Sequence, residues 1–297
     1  MAAPDELYDV AIIGYGPVGA TLGHLLGLSG VKTVILDREE APYPLPRAVH
    51  FDDEVMRVFQ AIGLAEQIEA VCRKNIGMQF IDKAGKLLLD WPRPQEIGRH
   101  GWYASYRFHQ PDLENILRAA MPMRSSVTVL TGCNVTEVTD HGPECSLKYD
   151  QISTGKAGRI RAKYVVGCDG ARSLTRQTMR SETQDYAFHE RWLVVDVLLN
   201  RPKPELGDWT IQYCNPDRPA TFVRGPQNRR RWEISLKDDE ASETMTNPSE
   251  IWRLLANWLA PDEAEIERAA VYTFHALVAK SWRQGRLMLA GDAAHQT

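Results

Sequence analysis

The spacing Gly14-Tyr15-Gly16-Pro17-Val18-Gly19 restricts the fold more than any other feature of this chain. It follows the apolar run Val10 to Ile13 and opens a stretch, Val18 to Leu28, that reads as a helix; Val31 to Leu36 then reads as a second buried strand. Strand, glycine turn, helix and strand in that order are the βαβ unit of a parallel sheet. Each glycine has a physical reason: Gly14 for a tight turn, Gly16 for close approach of backbone to a pyrophosphate, Gly19 for close packing of helix on strand. Pro17 and Val18 begin the helix, whose free N–H groups face phosphate charge. Asp37 ends the second strand 23 residues after Gly14. There a carboxylate accepts hydrogen bonds from ribose hydroxyls and repels a 2′-phosphate. Arg38, beside it, is a further cofactor-binding candidate. A glycine-rich turn without a ligand is the plainer reading of the same residues.

With 297 residues the chain has room for one large or two ordinary domains. Its formal charge of −4 offers no basic face for nucleic acid. The five cysteines are scattered, with no Cys-x-x-Cys spacing for a metal or a redox disulfide, and read as reduced thiols of a cytoplasmic protein. Residues 1 to 9 carry Asp5, Glu6 and Asp9 and lack the features of a signal peptide. No apolar run is long enough for a membrane span.

Farther on, Pro42, Pro44 and Pro46 mark a loop, Asp52 to Ile62 reads as a helix, and Met78 to Trp91 as a hairpin turning near Gly85. A helix is predicted over 111–121, followed by strands at Val127–Leu130, Val135–Val138, Cys145–Tyr149 and 162–168. Residues 188–236 are strand-rich, a helix is expected over 248–259, and a last strand over 286–290. The expected fold class is α/β, a Rossmann-type domain with an inserted mostly-β substrate domain. The expected segments are 1–77, 101–183 and 285–297 for the nucleotide domain, with 78–100 as a substrate-domain hairpin and 184–284 as the rest of the substrate domain.

Asp37 alone does not separate FAD from NAD, but two later motifs do. Cys168-Asp169-Gly170-Ala171-Arg172-Ser173 and Gly291-Asp292-Ala293-Ala294-His295 resemble the later fingerprints of class A flavoprotein aromatic hydroxylases, the para-hydroxybenzoate hydroxylase type. The likeness is closest to the 3-(3-hydroxyphenyl)propionate hydroxylase branch, through Pro46 to Glu54, Trp192 to Asp196, Cys214 to Pro219 and Val271 to His275. The resemblance implies FAD as cofactor. It places Asp169 and Gly170 near the flavin and the nicotinamide path, and Gly291 and Asp292 at the ribityl chain. It likewise puts Arg47 near the ADP and flavin and Gln110 near the ribityl phosphate, with Arg107 adding charge. Either motif alone also reads as a turn capped by an aspartate. A second Gly-x-Gly-x-x-Gly is missing, which suits a family whose NADH or NADPH binds transiently as co-substrate.

The resemblance further implies hydroxylation of a phenolic aromatic acid with NAD(P)H and O2 through a flavin C4a-hydroperoxide, the protein supplying position and exclusion of water. Activating a phenol calls for a group that accepts or shares its proton, and His50, Tyr213 and His275 are candidates by type. Each also reads as a packed or surface residue. The implied partners are a small aromatic substrate, O2 and NAD(P)H, with room for a homodimer. The sequence stops five residues after Asp292, where the family continues with a proline loop, a glycine-rich stretch and a long helix. The expectation is therefore that the C-terminal helical part is absent and the flavin ring weakly clamped. The alternatives are a truncated, catalytically impaired FAD-binding protein and, if both later motifs are coincidental, an NAD-dependent dehydrogenase.

Overall fold

The computed structural model describes residues 6–45 and 47–296. Asp5 and Pro46, both used in the sequence reading, lie outside them. The chain divides into two compact units: residues 1–44, 113–188 and 275–297 form the first, and 45–112 with 189–274 the second.

The first unit is built on β1 (Leu7–Ile13), α1 (Pro17–Leu28) and β2 (Thr33–Leu36). Five strands run parallel in the order Val127–Leu130, β2, β1, Ala157–Gly167 and Leu287–Leu289. The apolar residues read as buried runs do face a core: Ala11, Ile12, Val34, Ile35 and Leu36 have no exposed surface. A sheet covered on both faces requires this. The hairpin Cys133–Asp140 and Cys145–Gln151 extends the sheet antiparallel to Ala157–Ala162. The second strand starts at Thr33 rather than at Val31, because the Val31 N–H is taken by the Leu26 carbonyl at 3.0 Å where α1 ends.

In the second unit Trp192–Leu198, Arg229–Ser235, Ala220–Arg224 and Thr210–Cys214 pair antiparallel in turn. Thr210–Cys214 then pairs parallel to Gly77–Asp82, which forms the expected hairpin with Leu87–Pro92. The helix Pro248–Leu255 packs Ile251 and Leu255 into a core with Trp232, Phe222 and Leu193. It ends four residues before the predicted Leu259, where the Leu255 carbonyl accepts both the Trp258 and Leu259 N–H groups in a closing turn. Ala264–Ala279 forms one sixteen-residue strand, of which the sequence flagged only Val271 to His275.

The expected segment boundaries after 77, 100, 183 and 284 differ from the contact units. Residues 45–77 and 101–112 group with the mostly-β unit. Arg107 and Arg73 reach Thr210 and Asp208 of that unit at 2.7 Å each, and a small sheet of His50–Asp52, Ser105–Arg107 and Arg73–Lys74, whose Phe51 packs on Phe59, Tyr106 and Phe108 with ring centroids 5.2 to 5.4 Å apart, joins the two segments. Such an aromatic cluster binds the two segments to each other.

Candidate functional site

The glycine loop is made where β1 ends. Gly14 has φ +101°, and a Cβ there would lie 2.3 Å from the Cys168 carbonyl oxygen; one at Gly19 would lie 2.0 Å from the Gly14 oxygen. Gly16 differs. Its backbone is extended, it caps α1 with no side-chain bond, and a Cβ there would meet nothing within 4 Å. Pro17 takes the first helical position, Val18 is exposed, and the first turn of α1 holds no acidic residue. The loop is thus closed on the protein side at Gly14 and Gly19 and open at Gly16, where a helix N-terminus without an acidic residue in its first turn faces the open side.

Asp37 secures the turn. Its carboxylate accepts the Tyr15 N–H at 2.5 Å through Oδ2 and the Glu39 N–H at 2.7 Å through Oδ1. Arg118, which the sequence reading missed, lies on the helix Gln110–Ala120. It donates to the Tyr15 carbonyl at 3.0 Å, sits 4.0 Å from Asp37 Oδ2 and stacks on the Tyr15 ring at 4.5 Å. Nothing local marks it, since its partners are 103 and 81 positions away in sequence. Arg38 points to solvent and pairs with Glu39.

The other two glycine turns meet this loop. Ile13 pairs in register with Gly167, and Gly167 with Leu289, so all three turns leave the same end of adjacent parallel strands. Gly170 and Gly291 adopt φ +76° and +62°, and a Cβ at Gly291 would lie 2.9 Å from Val18 Cγ2. Asp169 accepts the Thr175 N–H at 3.1 Å through Oδ2, which is the turn-capping role; its Oδ1 is buried without a hydrogen-bond partner. Asp292 is exposed. Arg176, also missed, donates to the carbonyls of Ala171 and Ala293 at 2.5 and 2.8 Å and so ties the Asp-Gly turn to the Gly-Asp turn. A local signal for it did exist: Ser173 caps the short helix by accepting the Arg176 N–H, as a Ser three residues ahead of a helical position should. Burial pushes the Cys168 thiol up to about 12, so it is no thiolate nucleophile.

An open cleft of about 480 Å³ lies in the same unit, lined by Arg172, Arg176 and Arg180 together with His275 and Leu277. Its guanidinium groups suit an anion.

The remaining candidates lie in the second unit. Gln110 Oε1 accepts the Ala48 N–H at 2.9 Å, and the carbonyl of Arg47 accepts from Arg231 Nη1 at 2.6 Å, so this loop is held from two sides. Arg231 is itself gripped by Asp196 at 2.7 and 3.1 Å. Arg107 donates to Thr210 Oγ1 at 2.7 Å, and burial lowers it to about 10. His50 keeps an exposed face while Nε2 lies 2.7 Å from Ser105 Oγ; burial first, then Arg107 and Arg93, lower it to about 4. Tyr213 accepts from Trp258 Nε1 at 2.9 Å, packs on that ring, and is raised by burial. His50 and Tyr213 thus belong to one unit and His275 to the other.

The chain was compared with known proteins. The family model described as FAD binding domain matches residues 7–297. A probable NADH-specific resorcinol 4-hydroxylase of Rhodococcus jostii is 38% identical over 290 residues, covering 97% of this chain and 54% of the relative. A 3-(3-hydroxy-phenyl)propionate/3-hydroxycinnamic acid hydroxylase of Mycobacterium avium is 36% identical over 308 residues, 99% of this chain and 51% of the relative. The chain therefore spans about half the length of the curated relatives it matches. Among solved structures, the flavin-dependent monooxygenase PieE in complex with FAD and substrate superposes with a TM-score of 0.87 at 18% identity, covering 99% of this chain and 54% of that one. The p-nitrophenol 4-monooxygenase PnpA from Pseudomonas putida superposes at 0.84 and 23%, covering 98% and 74%. Both share the fold. With its glycine turns gathered at one end of the sheet and a match from residue 7 to residue 297, the chain belongs to the FAD-binding domain family.

Proposed function

We propose that this chain serves a flavin-dependent monooxygenase that hydroxylates a phenolic aromatic acid with NADH or NADPH and O2. The observation that carries the reading is the meeting of three glycine turns in register at Ile13, Gly167 and Leu289. Relatives named as resorcinol and hydroxyphenylpropionate hydroxylases support the phenolic substrate, and the first of them is named as NADH-specific. When bound, FAD would supply the redox chemistry between NADH or NADPH and O2, one oxygen atom going to the ring and the other to water.

The chain's own residues bind and orient. The open amides at Gly16, with Gly14, Pro17, Val18 and Gly19, hold the pyrophosphate, and Asp37 the ribose, with Arg38 at the rim. Asp169, Gly170, Gly291 and Asp292 line the flavin side. Arg47, Arg107 and Gln110 complete the contacts. We assign residues 1–77, 101–183 and 285–297 to cofactor binding and 78–100 with 184–284 to the substrate. His50, Tyr213 and His275 are the candidates for contact with the phenol. The arginines of the cleft suit the phosphates of the reductant. We place the enzyme in the cytoplasm; among the described residues no helix is long and apolar enough to cross a membrane.

The test is the visible spectrum of the purified chain, followed by NADH and NADPH oxidation with and without resorcinol or 3-(3-hydroxyphenyl)propionate. Bound flavin with oxidation stimulated by the phenol, and hydroxylated product in proportion, is the expected result. Colourless protein that binds NAD tightly would refute it.

A further inference from the structure

In the mostly-β unit a line of hydrogen bonds runs through buried groups to His50. The Gly77 N–H donates to Asn75 Oδ1 at 3.3 Å, which leaves Asn75 Nδ2 to donate to Ser105 Oγ at 2.9 Å. Ser105 Oγ is 2.7 Å from His50 Nε2. The backbone fixes the same geometry: the Asn75 N–H donates to the Ser105 carbonyl at 3.0 Å, and His50–Asp52 pairs with Ser105–Arg107. Asn75 and Ser105 are 7% and 2% exposed, so bulk water does not replace these partners.

The protons along this line can be counted. A serine hydroxyl has one proton to donate and two lone pairs. One lone pair takes the Asn75 proton. If His50 carried its proton on Nε2 it would use the other, and the Ser105 proton would find no acceptor among the described residues, leaving a buried donor unmet. If Ser105 instead donates to Nε2, every group is satisfied and His50 carries its proton on Nδ1. The charged groups that act on the ring are Arg107 and Arg93, which oppose its protonation, and Asp52, which favours it. Burial and the two guanidinium groups prevail, so the ring is neutral.

We propose that Asn75 and Ser105 are positioning residues that hold His50 in its Nδ1–H tautomer, so that His50 offers a neutral N–H donor to the oxygen of a phenolic ligand. The proposal rests on the phenol-hydroxylase reading and changes the role of His50 within it. A ring protonated at Nδ1 does not accept the phenol's proton there; it stabilises the phenolate, whose proton has gone to solvent. Arg107 and Arg93 favour the same anion.

The test uses the full chain with its flavin. Histidine ring nitrogens are labelled with 15N, His50 is assigned by loss of its signal in His50→Gln, and the tautomer is read from long-range proton–nitrogen correlations. The expected form is Nδ1–H. Asn75→Asp turns the donor into an acceptor that captures the Ser105 proton, and should convert His50 to Nε2–H; Ser105→Thr keeps the hydroxyl and should keep the tautomer. Titration with 4-nitrophenol, whose absorbance reports its ionisation, should show bound phenolate in the wild type and in Ser105→Thr. Affinity should be weaker in Asn75→Asp and Ser105→Ala on the order of tenfold, the loss of one hydrogen bond to a charged group. An Nε2–H or mixed ring in the wild type overturns the proposal without any variant having to fold, and leaves the hydroxylase reading standing. A converted tautomer with unchanged 4-nitrophenolate affinity also overturns it. An Nδ1–H ring in a wild-type protein that binds no phenol overturns the donor role together with the hydroxylase reading.

Discussion

The backbone of Gly14 runs so close to that of Cys168 that a single methyl group would reach within 2.3 Å of the Cys168 carbonyl oxygen. The neighbouring Gly16 has open space on its corresponding side. The two glycines should therefore fail differently. Gly14→Ala, strained at φ +101° and in collision with backbone, should destabilise the apoprotein by about 1–3 kcal/mol. Gly16→Ala should leave the apoprotein melting temperature unchanged, yet weaken FAD on the order of tenfold or more because the methyl fills the space for the pyrophosphate. Thermal melts of apoprotein and flavin fluorescence titrations measure both. Wild-type FAD affinity in Gly16→Ala would place the cofactor elsewhere.

Asp37 and Arg118, 4.0 Å apart, together hold Tyr15, the acid through the N–H and the arginine through the carbonyl. Arg118→Ala is expected to cost about 1–3 kcal/mol by leaving the Tyr15 carbonyl without its guanidinium donor and removing the charge 4.0 Å from Asp37. It should also weaken FAD, although Arg118 is assigned no contact with it. Urea denaturation and a flavin titration on the same variant check the two halves.

Little of this second layer could be read in advance. The βαβ unit was legible because its periodicity, its glycines and Asp37 lie within one local stretch. Arg118, Ser105 and Asn75 act through partners brought near by the fold, or through protons that a residue name does not show. The grouping of 45–77 with the mostly-β unit was hidden for a related reason. The ion pair of Arg73 with Asp208 joins segments far apart in sequence, and nothing local marks it.

Stability should fall with acid in a particular window. His50 is lowered to about 4 from 6.5, and His24, wholly buried in α1, is lowered by its burial. Between those values the unfolded chain binds protons that the folded one refuses, so stability is complete above pH 6.5 and is lost as pH falls toward 4. Glu240 and Glu263, lowered to about 2 by Arg218 and Lys203, weaken the fold only below 4.5. The buried Asp196 and Glu233, raised by burial, act with the opposite sign. Chemical denaturation at pH 7 and pH 5 should show the loss, and His50→Gln should reduce it. An identical slope in that variant would remove His50 from the account.

The Asp196–Arg231 pair is almost fully buried and holds the Arg47 carbonyl. Asp196→Ala should be severe, about 3–5 kcal/mol, since it takes the carboxylate from two buried guanidinium groups, Arg231 and Arg268. Replacing Asp196→Leu together with both guanidinium groups, Arg231→Met and Arg268→Met, should cost clearly less for the fold while still releasing the Arg47 loop. The triple variant, assayed for melting temperature and for FAD affinity, separates the worth of the buried charges from their service to that loop.

The three glycine turns that meet in register are written at residues 14, 170 and 291. Synthesis runs from the first to the last at roughly 5–20 residues per second, so the ribosome releases the strand of the third turn many seconds after the first. Until Leu287–Leu289 docks beside Ala157–Gly167, the nascent sheet has an uncovered parallel edge and an unfinished cradle. Flavin acquisition thereby waits for the Gly291 turn to emerge and dock, and the cofactor becomes a reporter that the sheet has closed in the right order.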